Sequence, residues 1–309
     1  MGGSGGGSYT DWSSESLTEA VREGREKSAA EFEVQLSAYL SELLSSFNDR
    51  DTALVRERLD VAKNALQDEL DASLDQLYGG SVAKHTYIDG LSDIDSLLII
   101  NGSKFEDNRP ATILSGMEAI LLEQLGDVAK VEHGRMAVTL TYKDGMCIQL
   151  LPAIRTEEGL KVPSCRHEGW SHIDPTAFRS ELTKRNDQCG GKLIPTIKLA
   201  KAVIATLPEQ HRLSGYHVES LAIAAFRGYD GVKTTAAMLP HFFERAKTLI
   251  GSPIKDKTGQ SVHVDEYLGP ENSEVRQYLA RLLGNLAKRM TNASASQSKA
   301  QWEALFFSE

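Results

Sequence analysis

The sequence predicts an α+β domain followed by an all-helical one. Apolar residues between Asp11 and about Leu77 recur at helical spacing, and the stretch from Ile94 to Leu151 reads strand, helix, antiparallel hairpin. Beyond Asp174 strands mostly vanish and helical stripes take over. Met1 to Ser8 reads MGGSGGGS, a flexible linker of the appended kind that takes no part in the fold. A first helix is expected over roughly Leu17 to Leu44. A second is capped by Asp51, with Leu59, Ala62, Leu66, Leu70, Leu74 and Leu77 as one apolar stripe. Tyr78-Gly79-Gly80-Ser81 is a turn. Ile94 to Ile100 is a buried strand, and about Ala111 to Leu125 a helix. Met136, Val138, Leu140 and Tyr142 mark a half-buried strand, Lys143-Asp144-Gly145 a hairpin turn, and Cys147 to Leu151 a return strand ended by Pro152. Three later helices follow from Leu193, Ile197, Ala200, Ile204 and Leu207, from Val218 to Phe226, and from Val275 to Met290. The last is capped by Asn272 or Ser273, after a polar loop from Ile254 to Pro270. The expected division is residues 1–8 linker, 9–173 sheet domain with its N-terminal helices, and 174–309 helical domain.

Composition excludes several classes. Of 309 residues 41% are hydrophobic, too many for a disordered chain. Three scattered cysteines do not make a disulfide scaffold and fit a reducing compartment. No apolar run approaches the roughly 20 residues that span a bilayer, and no signal peptide is evident, so a cytoplasmic protein with no membrane partner is expected. A net charge of −9 argues against binding long duplex nucleic acid, while leaving small phosphorylated ligands open.

One constellation carries chemistry. Gly79-Gly80-Ser81 precedes, after a gap, Ser92-Asp93-Ile94-Asp95. Carboxylates at i and i+2 of a strand share a face and repel each other unless a cation lies between them. Mg²⁺ (or Mn²⁺) suits one or two carboxylates plus phosphate oxygens. A Gly-Gly-Ser turn offers free N–H groups and a hydroxyl to phosphate. Alone, each half is ordinary: a solvated strand edge, or simply a turn. In this order they describe a site for a metal-bound nucleoside triphosphate.

Gly80-Ser81, Thr86 and Ser92-Asp93-Ile94-Asp95 resemble the G-S…G-T…S-D-h-D signature of the DNA polymerase β-like nucleotidyltransferases. The resemblance is strongest to the bacterial cGAS/DncV-like enzymes (CD-NTases), over most of the chain from about Phe47. Ile148-Gln149-Leu150-Leu151-Pro152-Ala153 resembles the family's h-D-h-h-P-A strand. Lys198-Leu199-Ala200-Lys201 resembles its basic helix, and Ser214-Gly215-Tyr216-His217-Val218-Glu219 its S-Y-x-h-E segment. The resemblance implies a polymerase β-like sheet, a poly(A)-polymerase-like helical domain and a central cleft. It implies an enzyme that joins nucleoside triphosphates, ATP among them, into a nucleotide second messenger for anti-phage defence, sensed by an effector encoded nearby. Asp93 and Asp95 would hold the metal. Gly80, Ser81 and Thr86 would line the nucleotide, Lys198 and Lys201 would neutralise triphosphate charge, and Tyr216 would stack on a base.

Gln149 departs from the pattern, standing where the family has its third carboxylate. An amide offers an oxygen but no charge, so triphosphate binding should survive while hydroxyl activation weakens. A natural subgroup, an engineered inactivation and a degenerate nucleotide-binding regulator all fit; the otherwise intact strand favours the first. A protein-primed linear synthesis, started on a tyrosine such as Tyr9 or Tyr267, is a further alternative.

Other residues have plainer readings. Lys198 and Lys201 alone read as solvated helix charges, but Leu182 to Arg212 carries four positive charges in excess, as a phosphate-facing wall requires. Glu219 reads as a helix anchor. Cys165, His167, His172 and Cys189 lack zinc-ligand spacing. Trp302, Phe306 and Phe307 read as a terminal docking anchor.

Overall fold

The computed structural model describes residues 14–47, 51–70, 74–78, 80–88, 94–164, 168–257 and 263–307. Two helices open the chain, α1 (Ser14–Ser46) and α2 (Thr52–Leu70). Asp51 starts α2 by accepting the Leu54 N–H at 2.9 Å. Leu59, Ala62, Leu66 and Leu70 form its buried stripe. The stripe does not continue as helix: Leu77 lies in a strand, β1 (Asp75–Tyr78), and is exposed.

The sheet then builds around α3 (Gly80–Ala83), β2 (Ile94–Ile99), α4 (Pro110–Leu125), β3 (Ala129–His133), β4 (Val138–Tyr142), β5 (Cys147–Thr156), β6 (Gly159–Pro163) and β7 (Trp170–Ile173). Its order is β1-β2-β5-β4-β3, with β6 on the far half of β5 and β7 beyond. β2 and β5 run parallel, and β3, β4 and β5 form an antiparallel meander. Pro152 does not end its strand as expected. The Ala153 carbonyl bonds to Ile100 N of the β2 strand, so the Pro152 nitrogen points to the other side. There β4 pairs only through Leu150 and β6 only from Ile154, so the missing N–H falls in the gap where β5 changes partners.

The rest is helical: α5 (Pro175–Gln188), α6 (Leu193–Ala205), α7 (Gly215–Ala225), α8 (Thr235–Leu249), α9 (Glu274–Ala295) and α10 (Lys299–Glu303). Ser273 caps α9, its hydroxyl accepting Arg276 N at 3.3 Å. Arg276, fully buried, pins the Ile254–Pro270 loop by bonding to Asp265 Oδ2 at 2.7 Å and to the carbonyls of Asp265, Gly269 and Pro270. Trp302 is fully buried and Phe306 nearly so, which makes the terminal segment an anchor, while Phe307 stays exposed.

Two main cores result. One joins α2 and α4 to the sheet; the other gathers α5–α9 and the terminal segment. Phe32, Leu36, Tyr39 and Leu40 of α1 enter the helical core, not the sheet core. The chain threads between the two at Tyr87, which packs on the sheet side, and Ile88, on the helical side. Among the described residues no helix is long and apolar enough to cross a membrane.

Candidate active site

Strand alternation sets the acidic half of the site. Ile94, Leu98, Ile148 and Leu150 enter the sheet core, while Leu97, Ile99, Leu151 and Ala153 take the opposite face. Asp95 and Gln149 share that second face. Register makes them direct neighbours, with Thr139 of β4 next in the row. Asp93 and Ser92 lie outside the described residues. The Asp95 carboxylate and Gln149 amide oxygen are hard donors, suited to a Mg²⁺ or Mn²⁺ ion whose shell water and phosphate complete. Among the described residues no three His, Cys, Asp or Glu side chains gather as an all-protein metal cage. Cys189 is buried and His172 exposed; Cys165 and His167 lie outside the described residues.

Gly80 opens α3, a four-residue helix. Ser81 is half-buried, and its carbonyl accepts Thr86 N–H at 2.9 Å. The turn delivers Thr86 to the junction of the two cores, where it is fully buried.

Glu219 of α7 occupies that junction at 1% exposure. It accepts hydrogen bonds from Lys84 on one carboxylate oxygen, and from Lys201 (2.8 Å) and the Thr86 hydroxyl on the other. Lys201 also donates to the Thr86 carbonyl at 3.1 Å. Burial alone would raise the Glu219 pKa, but Lys84 and Lys201 hold it below the usual carboxylate range. Burial pulls Lys201 below the usual lysine range, against the attraction of Glu219 and of nearby Asp95. Lys201 is therefore a bolt between the two halves, with Asp95 within its electrostatic reach. Lys198 is turned toward a separate groove of about 450 Å³ beside Phe47, Val82, His85 and Tyr87.

Tyr216 is half-buried. Its ring leans on Phe178 with centroids 4.7 Å apart, and its hydroxyl donates to Asp256 at 2.7 Å. The Lys84 ammonium sits 4.9 Å from the Phe178 ring centroid and 5.0 Å from that of Tyr216. Ser214 caps α7 through His217 N at 3.2 Å. The structure thus groups Thr86, Lys201 and Tyr216 around Lys84 and Glu219, and sets Asp95 beside Gln149. Sequence reasoning missed Lys84; its one signal was a lone cation just after the Gly-Ser turn.

Residues 34–186 match the Second Messenger Oligonucleotide or Dinucleotide Synthetase domain, SMODS. Over those residues the chain carries a second-messenger nucleotide synthetase domain. The folds of solved CD-NTases agree with this. CdnG of Bradyrhizobium diazoefficiens, solved in complex with GTP, superposes with a TM-score of 0.67 at 19% identity, covering 88% of this chain and 96% of that one. Escherichia coli DncV, bound to 3'-deoxy GTP, gives 0.62 at 13% identity over 97% and 93%. CdnC of E. coli MS115-1, solved with ATP and also as a complex with a HORMA protein, gives 0.60 at 14% identity over 88% and 96%. No curated protein sequence matches the chain. The likeness to these structures extends over both the polymerase β-like sheet and the helical half.

Proposed function

We propose that this chain is a CD-NTase that joins nucleoside triphosphates into a cyclic or linear oligonucleotide second messenger, with release of pyrophosphate. The observation that carries the reading is the Asp95–Gln149 pair on the open sheet face, within electrostatic reach of Lys201, inside a second-messenger synthetase domain. In this reading Asp93 and Asp95, with the Gln149 amide oxygen, would hold Mg²⁺ (or Mn²⁺). The bound ion supplies positive charge at the reacting phosphate. Gly80 and Ser81 would line the nucleotide, with the fully buried Thr86 holding the turn in place behind them. Lys201 offsets triphosphate charge from within its cluster, Lys198 adds positive charge from the neighbouring groove, and the half-buried Tyr216 ring offers a face for a base to stack on. A ribose hydroxyl oxygen forms a bond to the α-phosphorus as the bond to pyrophosphate breaks, and the hydroxyl proton leaves to solvent. The product would act in the cytoplasm, in anti-phage defence, through an effector that senses it.

Gln149 favours a second reading, a nucleotide-binding regulator with weakened catalysis, because the row lacks a third negative charge. The separating experiment incubates the chain with all ribo- and deoxynucleoside triphosphates and Mg²⁺ or Mn²⁺, followed by mass analysis of small molecules and protein. Pyrophosphate release with new oligonucleotides is the expected result; binding without release identifies the regulator, and a mass-shifted chain identifies protein priming. The paired change Asp93→Asn with Asp95→Asn should abolish metal-dependent triphosphate consumption. Persistent turnover would remove the assignment.

A further inference from the structure

Glu219 sits where three polar groups from two halves of the molecule converge. Lys84 and Thr86 come from the sheet side, Lys201 from α6, and the carboxylate itself is 1% exposed. A buried carboxylate holding one cation would be an ordinary neutral pair. This one holds two, so the cluster keeps one positive charge in excess, at a place where desolvation makes such charge costly. Asp95 of the β2 strand lies within electrostatic reach of Lys201, but in the proposed reading its charge is engaged by the metal. The Lys84 ammonium also sits about 5 Å from the Phe178 and Tyr216 ring centroids, whose aromatic faces help to hold its charge.

We infer that Glu219 is a positioning residue: it clamps Lys84 of the sheet half and Lys201 of the helical half into one cluster, whose surplus positive charge receives the triphosphate tail. Glu219 does not touch the nucleotide. It sets the spacing of the two ammonium groups and favours the charged form of Lys201. The pair also ties the sheet half to the helical half, so nucleotide affinity and their alignment depend on the same carboxylate. This inference rests on the proposed triphosphate site.

The test measures binding of a nonhydrolysable nucleoside triphosphate analogue, with Mg²⁺, to the intact chain by calorimetry from pH 6.5 to 9.5. The groups facing Glu219 are Lys84, Thr86 and Lys201, with Asp95 beyond Lys201. Glu219→Gln should weaken binding roughly thirtyfold or more, the low end of the scale of breaking a buried hydrogen-bonded charge pair. It should also move the alkaline limb of the binding profile to lower pH, because Lys201 loses the partner that favours its charged form. Glu219→Asp should restore part of the affinity and of the limb. Lys84→Met leaves Lys201 and Glu219 as a balanced pair; it should weaken triphosphate binding by a similar factor, and it decides the matter if Glu219→Gln fails to fold. If the unaltered chain binds no triphosphate, the parent reading fails. If it binds, and a folded Glu219→Gln or Lys84→Met chain matches it in affinity and pH limb, Glu219 is only structural and the inference is overturned.

Discussion

At the scale of single residues, charge decides most of the chemistry. Gln149 stands beside Asp95 with nothing but an amide to offer a cation. Restoring a carboxylate there should strengthen activation of the attacking hydroxyl. Gln149→Asp is expected to raise pyrophosphate release by about tenfold or more, the scale on which one shell contact matters at such sites. An unchanged rate would mean the amide is already adequate. His217 shows the opposite arrangement, a base kept neutral by burial. Its pKa falls from 6.5 to about 4, with Tyr267 hydroxyl on Nδ1 at 2.8 Å. The unfolded chain takes up a proton on this ring near pH 6.5 that the native chain refuses until about pH 4. Stability from this source is complete above pH 6.5 and declines as pH falls toward 4. Denaturant melts at pH 7 and pH 4.5 should show a larger acid loss in the unaltered chain than in His217→Gln. Of the site residues, Asp95 and Gln149 were legible because alternation and motif spacing are local properties. Lys84 was not, because its partner Glu219 lies 135 residues away and only the fold brings them together.

At the scale of elements, those with their own periodicity and caps could be read directly. The β2 strand, α4, α6 and α9 lie within a few residues of where apolar spacing put them. The short strands β1, β3, β6 and β7 escaped, since four or five residues carry too little alternation to stand out from loop. β1 was also hidden at the end of a leucine stripe whose phase continues by coincidence. α8 escaped because Pro240 interrupts it, and α5 because its apolar face is little more than Phe178 and Leu182. The small α10 illustrates how much one side chain can hold. Trp302 is fully buried, and its indole N–H meets Ser294 Oγ at 3.3 Å. Trp302→Ala should cost about 3–5 kcal/mol of stability, measured by chemical denaturation. A change under 1 kcal/mol would mean that the terminal segment docks without contributing to the core.

At the scale of the whole molecule, core membership does not follow chain order. The sequence indicates where helices and strands fall, but pairing of α1 with the helical half depends on contacts across most of the chain. Residues 174–309 produced alone should therefore be poorly folded, with the pocket for Phe32, Leu36, Tyr39 and Leu40 left open to water. Co-expression with a segment spanning residues 14–47 should recover a cooperative thermal transition. A cooperative transition without that segment would show that α1 is dispensable.

The placement of α1 also constrains how the protein is made. This helix leaves the ribosome before the side chains that cover its apolar face, which lie mostly beyond residue 174. A nascent chain must carry that greasy stripe unpaired until those residues emerge. Until then its exposure makes the yield of folded protein sensitive to synthesis speed and chaperone supply.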